Sequence, residues 1–242
     1  MDQNIQGKIC LVTGATSGIG KVTAAALAAQ GATVVIAGRR LPRIQAAVQD
    51  IQSQIGSRSV EYLQADFADL QDVRAMAASF KERFGRLDVL VNNAGGYFNR
   101  RHEMPGGVEQ TFFVNHLAPF LLTGQLLDVL QAGAPARIVN VSSGAHQYGT
   151  MDFNDLGFKR GYFGMKAYAR SKLANILFTY ELARRLMDCS VTVNAVHPGH
   201  VTTDIWRTNF SIFGPVLKWF TSLIALTPEE GADTLIYLAS SP

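Results

Sequence analysis

Tyr168 and Lys172 stand four residues apart in K-A-Y-A-R-S-K, residues 166–172, at the head of a stretch that continues LANILFTYELARRL. That stretch suits a helix, and on a helix residues i and i+4 share a face. A phenol beside an ammonium has a definite chemical use. The cation favours phenolate, so a tyrosine with an ordinary pKa of about 10 can exchange a proton near neutral pH. The competing reading is a surface pair on an amphipathic helix, and Y-x-x-x-K alone does not decide between them. The decision rests on what the other elements bring to the same place.

Residues 8–14, KICLVTG, form an apolar run ending in glycine, the pattern of a strand buried on both faces. Gly14, Ala15, Thr16, Ser17, Gly18, Ile19 and Gly20 follow, and then KVTAAALAAQG, which is alanine-rich and helical. In a strand, glycine turn and helix, backbone N–H groups approach a pyrophosphate and the helix N-terminus favours its charge. The spacing T-G-x-x-x-G-x-G is wider than G-x-G-x-x-G. Its position between strand and helix is what favours a nucleotide site over a plain turn.

Residues 32–38, ATVVIAG, read as a second strand, and Arg39 and Arg40 stand at its end. A dinucleotide fold puts the adenosine ribose there. A carboxylate would accept from both ribose hydroxyls, but no acidic residue follows until Asp50. A guanidinium suits a 2′-phosphate instead. NADP(H) is therefore expected over NAD(H), against the alternative of two solvated arginines at a sheet edge.

The spacing predicts a helix over 42–54, a third strand over 59–64 and a helix over 70–84. Asp66, beside Phe67, can accept from an adenine amino group or cap that helix, a role for which Asp69 competes. Residues 87–91, LDVLV, form a fourth strand running into Asn92, Asn93, Ala94 and Gly95, small and amide residues at the edge where open α/β sheets bind ligands. Residues 108–127 read as one long helix containing Asn115 and His116. A mid-helix asparagine is either a neutral surface residue or the holder of a kink or water.

A fifth strand, 137–141, ends at Ser142 and Ser143, and an irregular segment, 144–164, could line one wall of a pocket. A sixth strand, 190–196, ends in H-P-G-H-V-T-T, residues 197–203. Its Pro198-Gly199 step exposes backbone that can hydrogen-bond an amide ligand. His197 and His200 lack a third ligand, so no metal site is expected. Residues 205–226 are apolar and aromatic, either core helix or a flap over a substrate pocket. Thr227-Pro228-Glu229-Glu230 is a helix start, running to about Ala239.

With 242 residues, 48% of them apolar and 22 glycines, the chain suits one domain over 1–242. Its net charge of +3 is dispersed, which argues against a nucleic-acid partner. Two cysteines, Cys10 and Cys189, make no disulfide framework, and Cys10 sits in an apolar run as a core residue would. MDQNIQGK is not a signal peptide, and the apolar stretch 212–226 is too short to span a membrane. A reducing, cytoplasmic setting is expected. Alternating strands and helices argue for one parallel sheet with helices on both faces and right-handed crossovers.

Six ordered motifs resemble the short-chain dehydrogenase/reductase family along nearly the whole chain. They are TGATSGIG at 13–20, NNAG at 92–95, Asn115, Ser142-Ser143, the Tyr168/Lys172 pair and H-P-G-x-V-x-T at 197–203. VNHLAPFLLT, ARIVNVSSGAH, AYARSKLANILFTYELARRL and VTVNAVHPGHV are similar to the retinol dehydrogenase branch. The resemblance implies a Rossmann-type, doubly wound α/β/α domain of strand order 3-2-1-4-5-6-7. It implies Tyr168 as the acid/base, Lys172 as its pKa-lowering and ribose-binding partner, and Ser143 as the hydroxyl orienting the carbonyl. Asn115 would hold the helix and a proton-relay water. Asn93, Pro198, Gly199, Val201 and Thr203 would line the nicotinamide half of the cofactor site.

Three departures stand out. Ser143 and Tyr168 are 25 positions apart, longer than in many members, although the retinol dehydrogenase branch carries such an insert. The sequence stops where the family usually adds a seventh strand and a tail. No N-terminal membrane segment is expected, unlike in several vertebrate relatives. The implied activity is NADP(H)-dependent hydride transfer involving an apolar, retinal-like aldehyde, ketone or alcohol. The same chemistry on a steroid, a xenobiotic carbonyl or a tetrapyrrole is one alternative. A non-catalytic dinucleotide sensor is another, and the intact Asn115, Ser143, Tyr168 and Lys172 set speaks against it. The resemblance is compatible with a monomer, a homodimer or a homotetramer, the helices of Asn115 and Tyr168 being those that would pair.

Overall fold

The computed structural model describes residues 5–199, 201 and 226–241. Thr203, His200 and the expected flap up to residue 225 lie outside the described residues.

Strands β1 (Ile9–Thr13), β2 (Thr33–Gly38), β3 (Val60–Gln64) and β4 (Val89–Asn92) alternate with helices α1 (Gly18–Ala29), α2 (Leu41–Ile55) and α3 (Leu70–Phe84). Two-residue strands β5 (Glu103–Met104) and β6 (Val108–Glu109) form a separate antiparallel pair. Then come α4 (Gln110–Phe112), α5 (Ala118–Gln125), α6 (Leu127–Ala132), β7 (Ala136–Val141), α7 (Gly164–Arg185), β8 (Val191–Val196) and α8 (Pro228–Ser240). The main sheet has the order β3-β2-β1-β4-β7-β8, every pairing parallel. Counted over its own strands this is the expected 3-2-1-4-5-6, with Val201 and Leu226 adding one parallel bridge.

Two apolar clusters explain why the strand sequences run apolar without alternation. Cys10 and Val12 join Ala24 and Leu27 of α1, Ile44 and Ile51 of α2 and Leu235 of α8. Leu11, between them, joins Val73 and Phe80 of α3 and Leu122 of α5 on the opposite face. Successive side chains point to opposite faces, so a strand covered on both must be apolar throughout. Each such side chain contributes about 1.5–3 kcal/mol when fully buried. Burial also pushes the Cys10 thiol up, which leaves it a protonated core residue.

The expected helix over 108–127 is corrected. Gly106 and Gly107, at φ of +82° and +77°, turn the chain between β5 and β6, so Val108 and Glu109 are strand. The Glu109 carboxylate accepts from the Thr111 and Phe112 N–H groups at 2.8 and 3.0 Å and starts α4. The chain then passes through a π-helical turn, Phe113–Leu117, before resuming as α5. Pro119 gives the reason. Its ring crowds the carbonyl four residues back and offers it no N–H.

At the other end of the chain, α8 begins as expected. The Thr227 hydroxyl accepts from Glu230 N at 3.2 Å, and the Glu230 carboxylate accepts from Thr227 N at 2.8 Å. Among the described residues no helix is long and apolar enough to cross a membrane.

Candidate active site

The carboxyl ends of β1, β4, β7 and β8 all point to one edge of the sheet, and the motif residues gather there. The glycine turn is built by close approach. Gly14 and Gly18 adopt φ of +66° and +57°, the left-handed region that favours glycine. A Cβ on Gly20 would collide with the Asn93 amide nitrogen and lie 2.8 Å from the Gly14 carbonyl. That nitrogen donates to the carbonyls of Thr13 and Gly14 at 2.8 and 3.2 Å. The Thr13 hydroxyl accepts from the N–H groups of Asn93 and Ala94, each at 3.0 Å. The Asn93 side chain therefore clamps the turn.

Helix α1 opens behind that turn with no acidic residue in its first turn, and Ser17 at its N-cap makes no side-chain capping bond. Its leading N–H groups and dipole are available to an anion. A pyrophosphate fits this cradle. Gly38 lets Thr16 approach the end of β2, because a Cβ there would meet the Thr16 methyl at 2.8 Å. Arg39 and Arg40 follow, both exposed. Arg39 lies 3.7 Å from Asp66, with 61% and 37% of the two side chains exposed, so their pairing is weak. Asp69, not Asp66, caps α3, accepting from Gln71 N at 2.8 Å. One Asp66 oxygen accepts from Ala68 N at 2.9 Å. Phe67 and Ile19 are buried in the two cores, which leaves their backbone as what they can offer a ligand.

The candidate reacting residues are carried by α7. Tyr168, Ser171, Lys172, Asn175 and Thr179 recur at helical spacing and form a buried polar stripe. The Ser142 hydroxyl donates to the Lys172 carbonyl at 2.8 Å, which fixes the end of β7 against the helix. The next residue, Ser143, is hydrogen-bonded through its side chain to Tyr168. Lys172 Nζ donates to the Val141 carbonyl at 3.0 Å and lies 5.5 Å from the Tyr168 ring centroid. Burial raises the Tyr168 phenol, and the Ser143 hydrogen bond opposes the rise. Burial lowers Lys172 to about 8.

Asn115 closes the group from the π-helical turn. Its side chain accepts from Gly96 N at 2.7 Å and donates to the Gly96 carbonyl at 2.9 Å and the Ser171 hydroxyl at 3.1 Å. A Cβ on Gly95 would stand 3.2 Å from the Asn115 oxygen and 3.7 Å from Lys172 Nζ. Gly95, Asn115 and Lys172 are thus in contact distance across three elements. Beyond β8, Gly199 has φ of +81°, and its N–H donates to His197 Nδ1 at 3.1 Å. Val201 packs against Gly231 of α8, where a Cβ would meet it at 2.5 Å.

Four contributors carried no signal in the sequence motifs. Tyr97 sets its ring against that of Tyr168. The fully buried Glu109 accepts from the Tyr162 hydroxyl at 3.2 Å, while that hydroxyl also donates to the Phe98 carbonyl at 2.7 Å. Arg170 anchors the segment before α7, donating to the carbonyls of Thr150 and Asp155 at 2.9 and 2.6 Å. Asn175 supports the Asn115 backbone. An asparagine inside the apolar run L-A-N-I-L-F was the available clue to the last of these.

The family model described as short chain dehydrogenase matches residues 8–211. Human retinol dehydrogenase 13 is 43% identical over 244 residues, covering 97% of this chain and 72% of that protein. Human retinol dehydrogenase 11 is 42% identical over 235 residues, covering 97% and 73%. The chain belongs to the short-chain dehydrogenase/reductase family. Within it the chain falls in the retinol dehydrogenase branch. Members are oxidoreductases that bind a nicotinamide dinucleotide. Among solved structures, the Pseudomonas aeruginosa RhlG/NADP active-site complex matches with a TM-score of 0.81 at 28% identity, over 100% of this chain and 93% of that one. L-sorbose reductase from Gluconobacter frateurii shares the fold with a TM-score of 0.79 at 24% identity, over 100% and 92%.

Proposed function

We propose that this family member is an NADP(H)-dependent oxidoreductase acting on an apolar, retinal-like carbonyl or its alcohol. The observation that carries this reading is the Tyr168–Ser143 hydrogen bond beside a buried Lys172. The phenol, raised by burial, stays protonated across neutral pH, the state that can give a proton to a carbonyl oxygen. The Ser143 hydroxyl faces the same point and can hydrogen-bond that oxygen as charge develops on it. Lys172, at about 8, is mostly cationic at neutral pH and favours loss of the phenolic proton. Asn115 keeps the Gly96 backbone and α7 in register, so that the hydroxyls hold their places. Bound at the glycine turn, NADP(H) would supply or accept the hydride. Carbonyl reduction is the direction that a protonated phenol serves.

Three further observations support the finer points. Arg39 and Arg40 stand at the end of β2 with no carboxylate in the ribose position, which favours the 2′-phosphate. The RhlG structure, at 28% identity, is an NADP complex. The retinol dehydrogenase relatives point to an apolar substrate, and the segment before α7 brings Tyr148, Phe153 and Phe163 to the surface on the site's flank.

Initial rates of NADPH and NADH oxidation with all-trans-retinal and smaller apolar aldehydes test this reading. NADPH is expected to lead by at least about tenfold in kcat/KM, the size of one charge-assisted hydrogen bond. Arg39→Ala and Arg40→Ala should erase that lead. Equal rates with both cofactors would overturn the phosphate assignment. Unchanged turnover in Tyr168→Phe would overturn the catalytic one.

A further inference from the structure

The carbonyl of Asn115 cannot make a regular helical bond, because the residue four further on is Pro119, which has no N–H. The π-helical turn accommodates the proline and is closed by the Ala118 N–H on the Phe113 carbonyl. Asn175 of α7 supplies a donor instead. Its Nδ2 donates to the Asn115 carbonyl at 3.0 Å and, at a longer 3.4 Å, to the Val141 carbonyl. Val141 is the same acceptor that takes the Lys172 ammonium at 3.0 Å.

This fixes the rest of the amide. With Nδ2 facing two carbonyls, Oδ1 is the acceptor, so His116, 3.0 Å away, donates from Nδ1 in its neutral tautomer. Burial lowers the His116 pKa, in keeping with that state. The Asn175 carbonyl accepts from the Thr179 hydroxyl at 2.7 Å, which accepts from Asn140 of β7 at 3.0 Å. Asn175 is itself buried.

We propose that Asn175 is a positioning residue of the reaction centre, tying the Asn115 carbonyl that Pro119 leaves free to the carbonyl that anchors Lys172. Its effect on rate rests on the catalytic reading above. Its effect on Lys172 rests on geometry alone. Among the described residues, the ionisable groups around Lys172 are Tyr168 on its own helix and, through Asn175, His116 of the π-helical turn. The chain at 93–96 and at 139–143 has no ionisable side chain.

The test is an NMR titration of lysine Nζ in the full chain with ¹⁵N-labelled lysine, the Lys172 signal being assigned by its loss in Lys172→Met. Asn175→Ala leaves Val141 to Lys172 alone and admits water, so the Lys172 pKa should rise by about half a unit or more. Pro119→Ala gives the Asn115 carbonyl a helical donor. Asn175 then settles more fully on Val141, and the Lys172 pKa should fall. In an aldehyde-reduction assay both variants should lose about tenfold in kcat, with the KM for NADPH unchanged and Pro119→Ala no less thermostable than the parent. A structural role alone would leave Pro119→Ala fully active. Lys172 titrating as in the parent in both variants would overturn the proposal, and if Asn175→Ala does not fold, Pro119→Ala decides it. Shifted titrations in a protein that turns over no aldehyde would uphold the positioning and defeat the catalytic reading.

Discussion

The ring of Tyr97 meets that of Tyr168 edge to face, with centroids 5.9 Å apart and planes at 72°. Both side chains are buried, and burial raises both phenols. Tyr97 lies just past the N-N-A-G segment, so the chain that clamps the glycine turn also sets the plane of the Tyr168 ring. Such pairs contribute about 0.5–1.5 kcal/mol beyond their buried area. Tyr97→Leu keeps an apolar wall and removes the edge contact. It is expected to lose about 1 kcal/mol in urea denaturation and several-fold in kcat, while the KM for NADPH holds. Tyr97→Phe keeps the edge contact and should retain kcat. Wild-type kcat in Tyr97→Leu would mean that Tyr168 is oriented by Ser143 alone.

Lys172 makes a second prediction, because burial lowers it from an ordinary 10.5 to about 8. Between those values the folded chain has lost this proton and the unfolded chain still holds it. Stability therefore rises with pH across that window. Below about 8 the buried ammonium is a standing cost to the fold. Lys172→Met should match or exceed the parent in thermal stability at pH 7, with the difference shrinking as pH rises toward 10.5. The same variant should have almost no reductase activity. A Lys172→Met protein that is less stable than the parent at pH 7 would show that the Val141 hydrogen bond outweighs desolvation.

The sequence was most legible where burial acts on both faces of an element. Leu11 between Cys10 and Val12 can be apolar only if helices cover the sheet twice, which is why the strands could be anticipated, while their order was what the family resemblance implied. The glycine turn and the Tyr168/Lys172 spacing were legible for a similar reason, since each needs only local geometry. The helix over 108–127 misled because its apolar spacing starts directly after Gly106-Gly107 and continues across Pro119, whose backbone effects override periodicity. Asp66 and Asp69 could not be ranked as caps before the dihedral angles were known. Glu109, Arg170 and Asn175 belong to no motif that the sequence singled out. Their partners, such as Tyr162 for Glu109, lie up to about sixty positions away along the chain and meet them only after the helices pack.

Gly20 makes a third prediction about the cradle itself. The space a Cβ would need is held by the Asn93 amide and the Gly14 carbonyl, both already hydrogen-bonded to one another. Gly20→Ala must push Asn93 off the carbonyls of Thr13 and Gly14, a strain on the order of 1–3 kcal/mol. Thermal unfolding should move down accordingly, and NADPH affinity measured by calorimetry should fall more than tenfold. Gly56, at the C-terminus of α2, has φ of +64° and nothing near its missing side chain. Gly56→Ala therefore serves as the control: some stability loss, with cofactor affinity intact. Equal affinity losses in the two variants would mean that the Gly20 effect is global rather than local to the turn.

Arg170 makes the last prediction, because it ties the segment before α7 to that helix two residues from Tyr168. It is buried, donates to the Thr150 and Asp155 carbonyls, and lies 3.7 Å from the centroid of the Phe158 ring. Phe158, at φ of +45°, is the one non-glycine residue with positive φ among the described residues. The Asp155 carboxylate holds it there by accepting from the N–H groups of Lys159 and Arg160 at 2.8 and 3.2 Å. Arg170→Met preserves bulk but removes the donor to the carbonyls of the half-buried Asp155 and the exposed Thr150, bonds that contribute about 0.5–1.5 kcal/mol each. The segment 149–163 should then become the first site of limited proteolysis. KM for a bulky aldehyde should rise while kcat for a small one is nearly unchanged, because Ser143 and Tyr168 keep their own bond. Arg170→Lys, which can reach one carbonyl, should fall between. If cleavage of Arg170→Met begins elsewhere and the two substrates lose activity in parallel, Arg170 supports the whole helix rather than the wall beside the site.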